Sequence, residues 1–127
     1  MINVPIIFEG HSFLKHIHPL VARSNKCGVK PIIFACAQRT GKSYDNVTRD
    51  HLTKLTKGID HEVIIYGVNE RNEVSKVIDK NFQCVIGQDI YYHGSFLKNT
   101  SVKKVSLCSY FDTLHNAVAG QSTNKTY

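Results

Sequence analysis

The sequence predicts an α/β fold built on an open, mainly parallel five-stranded sheet. Short runs of β-branched and other apolar residues alternate along the chain with stretches whose apolar residues recur at helical spacing. The runs are apolar at nearly every position, which is typical of strands covered on both faces. Strands that alternate with helices are joined by right-handed crossovers, which keep the strands parallel. The prediction is therefore a single three-layer, Rossmann-like domain.

The elements follow one another in a regular order. We expect strands at residues 4–8, 31–37, 61–67, 82–87 and 102–108. Helices are expected after the first three strands, with Gly28, Gly58 and residue 80 near their ends, and a last helix over 109–120 that Ser109 and Asp112 begin as a capping box. The residues expected to face the core from these helices are Leu14, Ile17, Leu20, Val21, Val47, Leu52, Leu55, Val74, Val77, Ile78, Phe111, Leu114, His115 and Val118.

Length and composition set the class of protein. A chain of 127 residues fits one domain, here residues 1–120 with a polar tail at 121–127. No apolar run approaches the roughly 20 residues of a membrane span, and the N-terminus lacks the layout of a signal peptide. We therefore expect a cytoplasmic protein without a transmembrane segment.

The positive charge is concentrated in the first half of the chain. Residues 1–57 contain nine Lys and Arg against three acidic residues, whereas residues 58–127 contain seven of each sign. Such a basic half attracts anions, which include nucleotide-linked substrates, phosphorylated acceptors, nucleic acid and acidic proteins. Nucleic acid ranks last because no basic cluster is dense and aromatic residues do not interleave with the basic ones. A plain solvated surface is the alternative interpretation.

The four cysteines predict free thiols and no metal site. Cys27, Cys36, Cys84 and Cys108 form no C-x-x-C pair, and their spacing fits no zinc pattern. Three of them stand in apolar stretches, where cysteine behaves as a small hydrophobic residue. We therefore expect buried, unpaired thiols.

A basic connection follows the second predicted strand. It ends in Gly41-Lys42-Ser43, as a phosphate-binding P-loop does, but the glycine that such a loop needs five residues earlier is replaced by Cys36. The prediction is a loop in which Arg39, Lys42 and Ser43 contact a phosphate without enclosing it, with a solvated loop as the alternative.

Three histidines lie in the connection after the first predicted strand, where open α/β sheets hold their chemistry. Histidine titrates near neutral pH, so it can accept or donate a proton without much tuning. Pro19 suits the first turn of a helix, so we expect the helix to begin near His18 and His16 to stand at the end of the loop. His16 and His18 are badly spaced for a shared metal, and no third ligand is indicated. Alternatively, these histidines are loop residues that bind backbone groups.

This part of the chain resembles the opening of the GT-B glycosyltransferases. In that family a first strand, here Pro5-Ile6-Ile7-Phe8, is followed by a loop and a Gly-His-x-x-Pro stretch, here with His16-Ile17-His18-Pro19. A second strand then follows a glycine, here Gly28. Residues 81–89 and 103–108 are similar to two later strands of the family. A looser likeness links the chain to the N-terminal half of the CDP-glycerol glycerophosphotransferases.

The resemblance implies the acceptor-binding half of a transferase, in which His16 matches the base that activates the acceptor. The loops at 38–45 and 87–99 would then line the acceptor cleft. Lys15 replaces the family's usual glycine, and Gln83 stands where an aspartate is usual. Because these enzymes hold the nucleotide-sugar mainly in a second Rossmann-like domain, a complete enzyme would need a C-terminal domain, a second GT-B-like chain or a homodimer.

The functional prediction is that His16 assists the attack of an acceptor hydroxyl on a nucleotide-linked sugar or glycerophosphoryl donor, without a cofactor or a metal. The residues expected to bind substrate are Gly10, His11, His18, Arg39, Lys42, Ser43, His93 and Ser95. The alternative is a non-enzymatic, flavodoxin-like regulatory module that binds a nucleotide or a partner protein through its basic half.

Overall fold

The structure is a computed structural model that describes residues 1–9, 14–36, 44–87 and 95–107. The strands in these residues are β1 (Ile2–Phe8), β2 (Val29–Cys36), β3 (Glu62–Tyr66), β4 (Cys84–Gly87) and β5 (Lys103–Ser106). The α-helices are α1 (Leu14–Ser24), α2 (Tyr44–Leu55) and α3 (Arg71–Asn81). Short 3₁₀ turns lie at Asn25–Cys27, Val68–Glu70 and Ser95–Leu97.

All five strands form one sheet, in the order β3-β2-β1-β4-β5, and every neighbouring pair is parallel. The chain moves outward from β1 through β2 to β3 and then returns across the sheet to β4 on the other side of β1. The predicted Rossmann-like, mainly parallel five-stranded sheet is therefore confirmed. The carboxyl ends of β1 and β4 flank the point where the strand order reverses, which is where open α/β sheets bind ligands.

The two faces of the sheet carry separate apolar cores because successive strand residues point to opposite faces. On what we call the α1 face, Ile6 and Phe8 of β1 pack with Ile17 of α1 and Leu52 of α2. On the α3 face, Ile7 packs with residues of α3 and of the turn Ser95–Leu97. The sheet thus lies between two helical layers.

The helix faces follow the sequence pattern with two exceptions. The side chains confirmed as buried are Ile17, Val21, Leu52, Leu55, Val74 and Ile78. Leu20 and Val77 are exposed, which contradicts the expected core positions. Leu20 borders an open groove. Val77 shares its side of α3 with Glu73, Lys80 and Asn81, which are all exposed, so this side of the helix faces solvent.

Burial was also wrongly predicted for β3 and for one thiol. Val63, Ile64 and Ile65 are 37%, 41% and 43% exposed, because β3 is the edge strand of the sheet that the described residues form. The thiols of Cys27 and Cys84 are free, as expected, but Cys27 is exposed because it lies in the 3₁₀ turn before β2. Cys36 is buried, as expected.

Several predictions lie outside the described residues. These are the helix over 109–120 with its core positions, the polar tail and the thiol of Cys108. The side chains of Leu14 and Val47 also lie outside, although the backbone of both belongs to helices.

Candidate functional site

Three connections of the chain begin at one edge of the sheet. β2, β1 and β4 are neighbours and end at Cys36, Phe8 and Gly87, so the chain leaves all three strands at the same carboxyl edge. The connections that follow contain most of the substrate-binding residues predicted above. Those that lie outside the described residues are Gly10, His11, Arg39, Lys42, Ser43 and His93.

The predicted base, His16, belongs to a helix and not to the end of a loop. α1 begins at Leu14, so the backbone of His16 lies in its first turn, and Pro19 is inside the helix. The helix starts earlier than Pro19 indicated because Ile17 is fully buried against the sheet, and this packing stabilises the first turn. The His16 side chain lies outside the described part of the structure.

Two further predicted residues fall on described elements. His18 is exposed on α1, one residue beyond the buried Ile17. Ser95 begins the 3₁₀ turn before β5, and its side chain is among those outside the described part. The described side chains therefore assign neither residue a contact with substrate.

A buried polar cluster that the sequence analysis missed lies at the carboxyl edge of β1 and β3. Its members are Glu9, Tyr66 and Arg71, which we call the Glu9 cluster. Glu9 follows β1 directly and is only 2% exposed. Arg71 donates from Nε to Oε2 at 3.2 Å and from Nη2 to Oε1 at 2.5 Å, which makes the ion pair bidentate. The hydroxyl of Tyr66 also donates to Oε2.

Local structure places the two partners of Glu9. Tyr66 is the last residue of β3, and Arg71 is the first residue of α3. The turn between them is fixed by the Gly67 N–H, which donates to Oε1 of Glu70 at 2.9 Å. The Phe96 ring packs at 6.3 Å from the Tyr66 ring, and the Arg71 guanidinium lies 5.8 Å from the same Phe96 centroid.

The electrostatics of the cluster keep its protons in place. Burial raises the pKa of Tyr66 well above its usual value, and the negative charge of Glu9 raises it further. The hydrogen bond to Glu9 raises the pKa of Arg71. Tyr66 thus remains a neutral donor and Arg71 a cation at neutral pH. These two groups hold Glu9 in position, and they do not exchange protons as an acid or a base would near neutral pH.

Two sequence signals point to this cluster in retrospect. Glu9 is a single acidic residue directly after the apolar run of residues 4–8, where a carboxylate is buried unless the chain turns outward. Arg71 is a cation at the amino end of a helix, where the helix dipole is unfavourable unless an anion compensates. Neither signal identifies the partner, because Glu9 and Arg71 are 62 residues apart in sequence.

The described residues contain no group of three or more His, Cys, Asp or Glu side chains arranged to hold a metal ion. Among the helices of residues 14–24, 44–55 and 71–81, none has the length and apolar character needed to cross a membrane.

Comparison with known proteins relates the chain to one solved fold. No family model and no curated protein matches the sequence. The crystal structure of a hypothetical protein from Sulfolobus tokodaii is similar, with a TM-score of 0.54 over 84% of this chain and 96% of that protein. The two sequences are 13% identical, so the likeness supports the α/β fold alone.

Proposed function

We propose that this domain is the acceptor-binding half of a GT-B-type transferase, which joins an acceptor hydroxyl to a sugar or glycerophosphoryl group from a nucleotide-linked donor. One observation carries the proposal: the strand order reverses between β1 and β4, and the histidine-containing connection begins at the carboxyl end of β1. Ligands of open parallel sheets bind at such a point.

The chemistry assigned to His16 is general base catalysis. A hydroxyl is a weak nucleophile near neutral pH, so a base must take its proton as the new bond forms. The acceptor oxygen bonds to the sugar carbon or the phosphorus of the donor, and the bond to the nucleotide phosphate breaks with its electron pair on that phosphate.

The Glu9 cluster contributes rigidity rather than reactivity in this proposal. Glu9 is the last described residue before the connection that contains His11 and leads to α1. Arg71 and Tyr66 hold it from two other elements, α3 and the end of β3. A connection that starts from a fixed residue loses less conformational freedom when it binds a ligand.

Positive charge would attract the donor phosphates to the same edge. Arg39 and Lys42 belong to the connection after β2, and β2 is the direct neighbour of β1. In the proposal these two residues contact the phosphates, together with Ser43, His93 and Ser95. The rest of the donor would bind to a second domain or chain.

The test compares charge removal at opposite edges of the sheet. Arg39→Ala/Lys42→Ala removes two charges from the carboxyl-edge connection. Lys26→Ala/Lys57→Ala removes two exposed charges from turns at the amino edge. Thermal unfolding is measured with CDP-glycerol, UDP-glucose and GDP-mannose. One of them is expected to stabilise the wild type, by about 2.7 kcal/mol at a concentration 100 times its Kd.

Only the carboxyl-edge variant should lose this stabilisation. If none of the three donors stabilises the chain, the proposed contact of the carboxyl edge with the donor phosphates is wrong. If heparin stabilises it instead and both double variants weaken that effect equally, the alternative is favoured. That alternative is a non-enzymatic module that binds anionic partners through its basic half.

A further inference from the structure

The amino edge of the sheet, at the opposite end of the strands from the carboxyl edge, is rich in cations. It comprises the last turn of each α-helix, the turn that follows, and the first two residues of each strand. The described residues of this edge include eight Lys and Arg and three acidic residues. The cations are Arg23, Lys26, Lys30, Lys54, Lys57, Lys80, Lys103 and Lys104, and the acids are Asp60, Glu62 and Asp79. The excess of positive charge attracts anions to this edge.

Two of these cations have no internal partner that explains them. Lys30 pairs with Asp60 at 3.9 Å, whereas Lys26 and Lys57 are exposed and have no ion pair with any described acidic side chain. The helix dipole favours cations in the last turn of a helix. Lys26 and Lys57 follow the ends of α1 and α2, so this effect does not account for them.

Two exposed apolar side chains project from the same edge. Met1 and Ile2 are 68% and 72% exposed, more than any other large apolar residue in the described part of the chain. Ile6 of β1 pairs with Ile86, so Val4 is level with the first residue of β4 and Ile2 lies two residues further out. Two strand residues span about 7 Å. The start of β1 therefore forms an apolar tip.

Hydrogen bonds place basic turns beside this tip. The Ile2 N–H donates at 2.8 Å to the carbonyl of the residue before β2, which brings the turn with Lys26 next to β1. The Asn25 side chain of that turn donates to the Asp60 carbonyl at 3.1 Å. This bond joins the turn to the connection between α2 and β3, which contains Lys57. The apolar tip thus stands next to cations from two turns.

We propose that the amino edge binds the surface of a membrane that contains anionic lipids. Surface binding of this kind combines cations that attract lipid head groups with apolar side chains that enter the boundary of the acyl chains. The tip projects about 7 Å, which is within the roughly 5–10 Å to which such side chains enter. A nucleic acid would engage the same cations but gives the exposed Ile2 no apolar surroundings, so the tip favours lipid.

This binding mode is independent of the proposed transferase activity. Because the amino and carboxyl edges are at opposite ends of the strands, a domain bound through its amino edge keeps its carboxyl edge away from the lipid. Loss of one property therefore leaves the other measurable.

Sedimentation with vesicles tests the role of the charge. The probes are vesicles of phosphatidylcholine with and without added phosphatidylglycerol, at about 0.1 M salt, where exposed charges more than about 10 Å apart are screened. The wild type should bind only the anionic vesicles. Lys26→Ala/Lys57→Ala should bind them about 30-fold more weakly, at about fivefold for each lysine. Arg49→Ala/Lys76→Ala removes two exposed charges near the middle of α2 and α3 and should weaken binding less than about threefold.

Fluorescence tests the entry of the tip into the lipid. The chain contains no tryptophan, so each single substitution provides an unambiguous reporter. Ile2→Trp labels the tip, and Val68→Trp labels an exposed position in the turn after β3, at the carboxyl edge. On anionic vesicles, only the emission of Ile2→Trp should shift to shorter wavelength and be quenched by brominated lipid.

Four outcomes would overturn the proposal. The first is that the wild type does not bind anionic vesicles, or binds neutral vesicles equally well. The second is equal weakening by the two double variants, which would assign the effect to total charge. The third is a fluorescence change at Val68→Trp without one at Ile2→Trp. The fourth is binding of a single-stranded oligonucleotide through Lys26 and Lys57 with no vesicle binding, which would make nucleic acid the partner.

Discussion

At the amino edge of the sheet, one neutral side chain joins three segments, whereas at the carboxyl edge the joining group is a buried charge. Asn25 donates from Nδ2 to the carbonyls of Val29 at 3.0 Å and Asp60 at 3.1 Å, and its Oδ1 accepts from the Asp60 N–H at 2.7 Å. Glu9 joins β1 to the end of β3 and the start of α3 through Tyr66 and Arg71.

The two edges differ in the desolvation cost of the groups that join their segments. Neutral hydrogen bonds at a partly exposed edge cost little desolvation, and they are sufficient to close turns. A buried carboxylate is stabilising only when its partners compensate its lost hydration, and an apolar group would often serve stability as well. The buried ion pair therefore lies at the edge where the order of the strands reverses. The predictions below test this contrast.

The largest expected change in the free energy of unfolding comes from substitution of Arg71. Arg71→Met leaves the Glu9 carboxylate buried without its cation, so the free energy of unfolding should fall by about 3 kcal/mol. Urea unfolding measures the change. Lys76→Met, at an exposed position of the same helix, is the control and should stay within about 0.5 kcal/mol of the wild type. The triple variant Glu9→Leu/Tyr66→Phe/Arg71→Met should be more stable than Arg71→Met, because no uncompensated charge remains.

Tyr66→Phe should have the second largest effect on the free energy of unfolding, and this effect should depend on pH. Loss of a hydrogen bond to a charged group should lower the free energy of unfolding by about 2 kcal/mol at pH 7. Because the pKa of Tyr66 is higher in the folded state, its contribution is complete below pH 10, the ordinary tyrosine value, and declines above it. The wild type should lose up to about 1.4 kcal/mol per pH unit there from this residue. Equal alkaline slopes in urea unfolding of the two proteins would contradict this account.

The corresponding change at the amino edge should be smaller. Asn25→Ala removes hydrogen bonds from a part-exposed site where water replaces some of them, so about 1 kcal/mol should be lost. Ligand binding at the opposite edge should not change, and calorimetry with the ligand found in the thermal screen measures it. A loss larger than that of Arg71→Met would reverse the proposed contrast between the edges.

The smallest effect is a purely conformational one. Gly28 ends the turn Asn25–Cys27 with φ at +75°, and a Cβ there would meet nothing within 4 Å. Gly28→Ala should therefore lower the free energy of unfolding by about 1 kcal/mol through backbone strain alone. Gly28→Asn should lose less, since asparagine tolerates the left-handed region better. If alanine and asparagine are equally tolerated in thermal unfolding, strain at this turn is not the cause.

The fold could be predicted from sequence because its signals are local. Residues 31–36 form one apolar run, and the structure buries every one of them in β2. The end position of β3 in the sheet was not predictable in this way, because Val63, Ile64 and Ile65 have the same composition as a central strand. Position within the sheet depends on pairing between distant segments, and the sequence pattern does not contain it.

The candidate site was predictable only in part. The carboxyl edge follows from the alternation of strands and helices, because parallel strands all end at one edge of the sheet. The start of α1 could not be predicted from the sequence pattern. Pro19 favours a later start, whereas burial of Ile17 stabilises an earlier one. The pairing of Glu9 with Arg71 depends on the return of the chain from β3 to α3, which no local pattern encodes.

The most direct test of the carboxyl-edge assignment uses the histidine side chains as reporters. Protein labelled with ¹⁵N-histidine is titrated with CDP-glycerol, UDP-glucose and GDP-mannose, and the imidazole resonances are followed. His61 is the internal control, because it lies just before β3 at the amino edge, with Nδ1 held 2.6 Å from the Ile59 carbonyl oxygen. We predict that one donor shifts the His16 resonances saturably and leaves those of His61 unchanged. Saturable shifts of His61 with His16 unmoved would contradict the account.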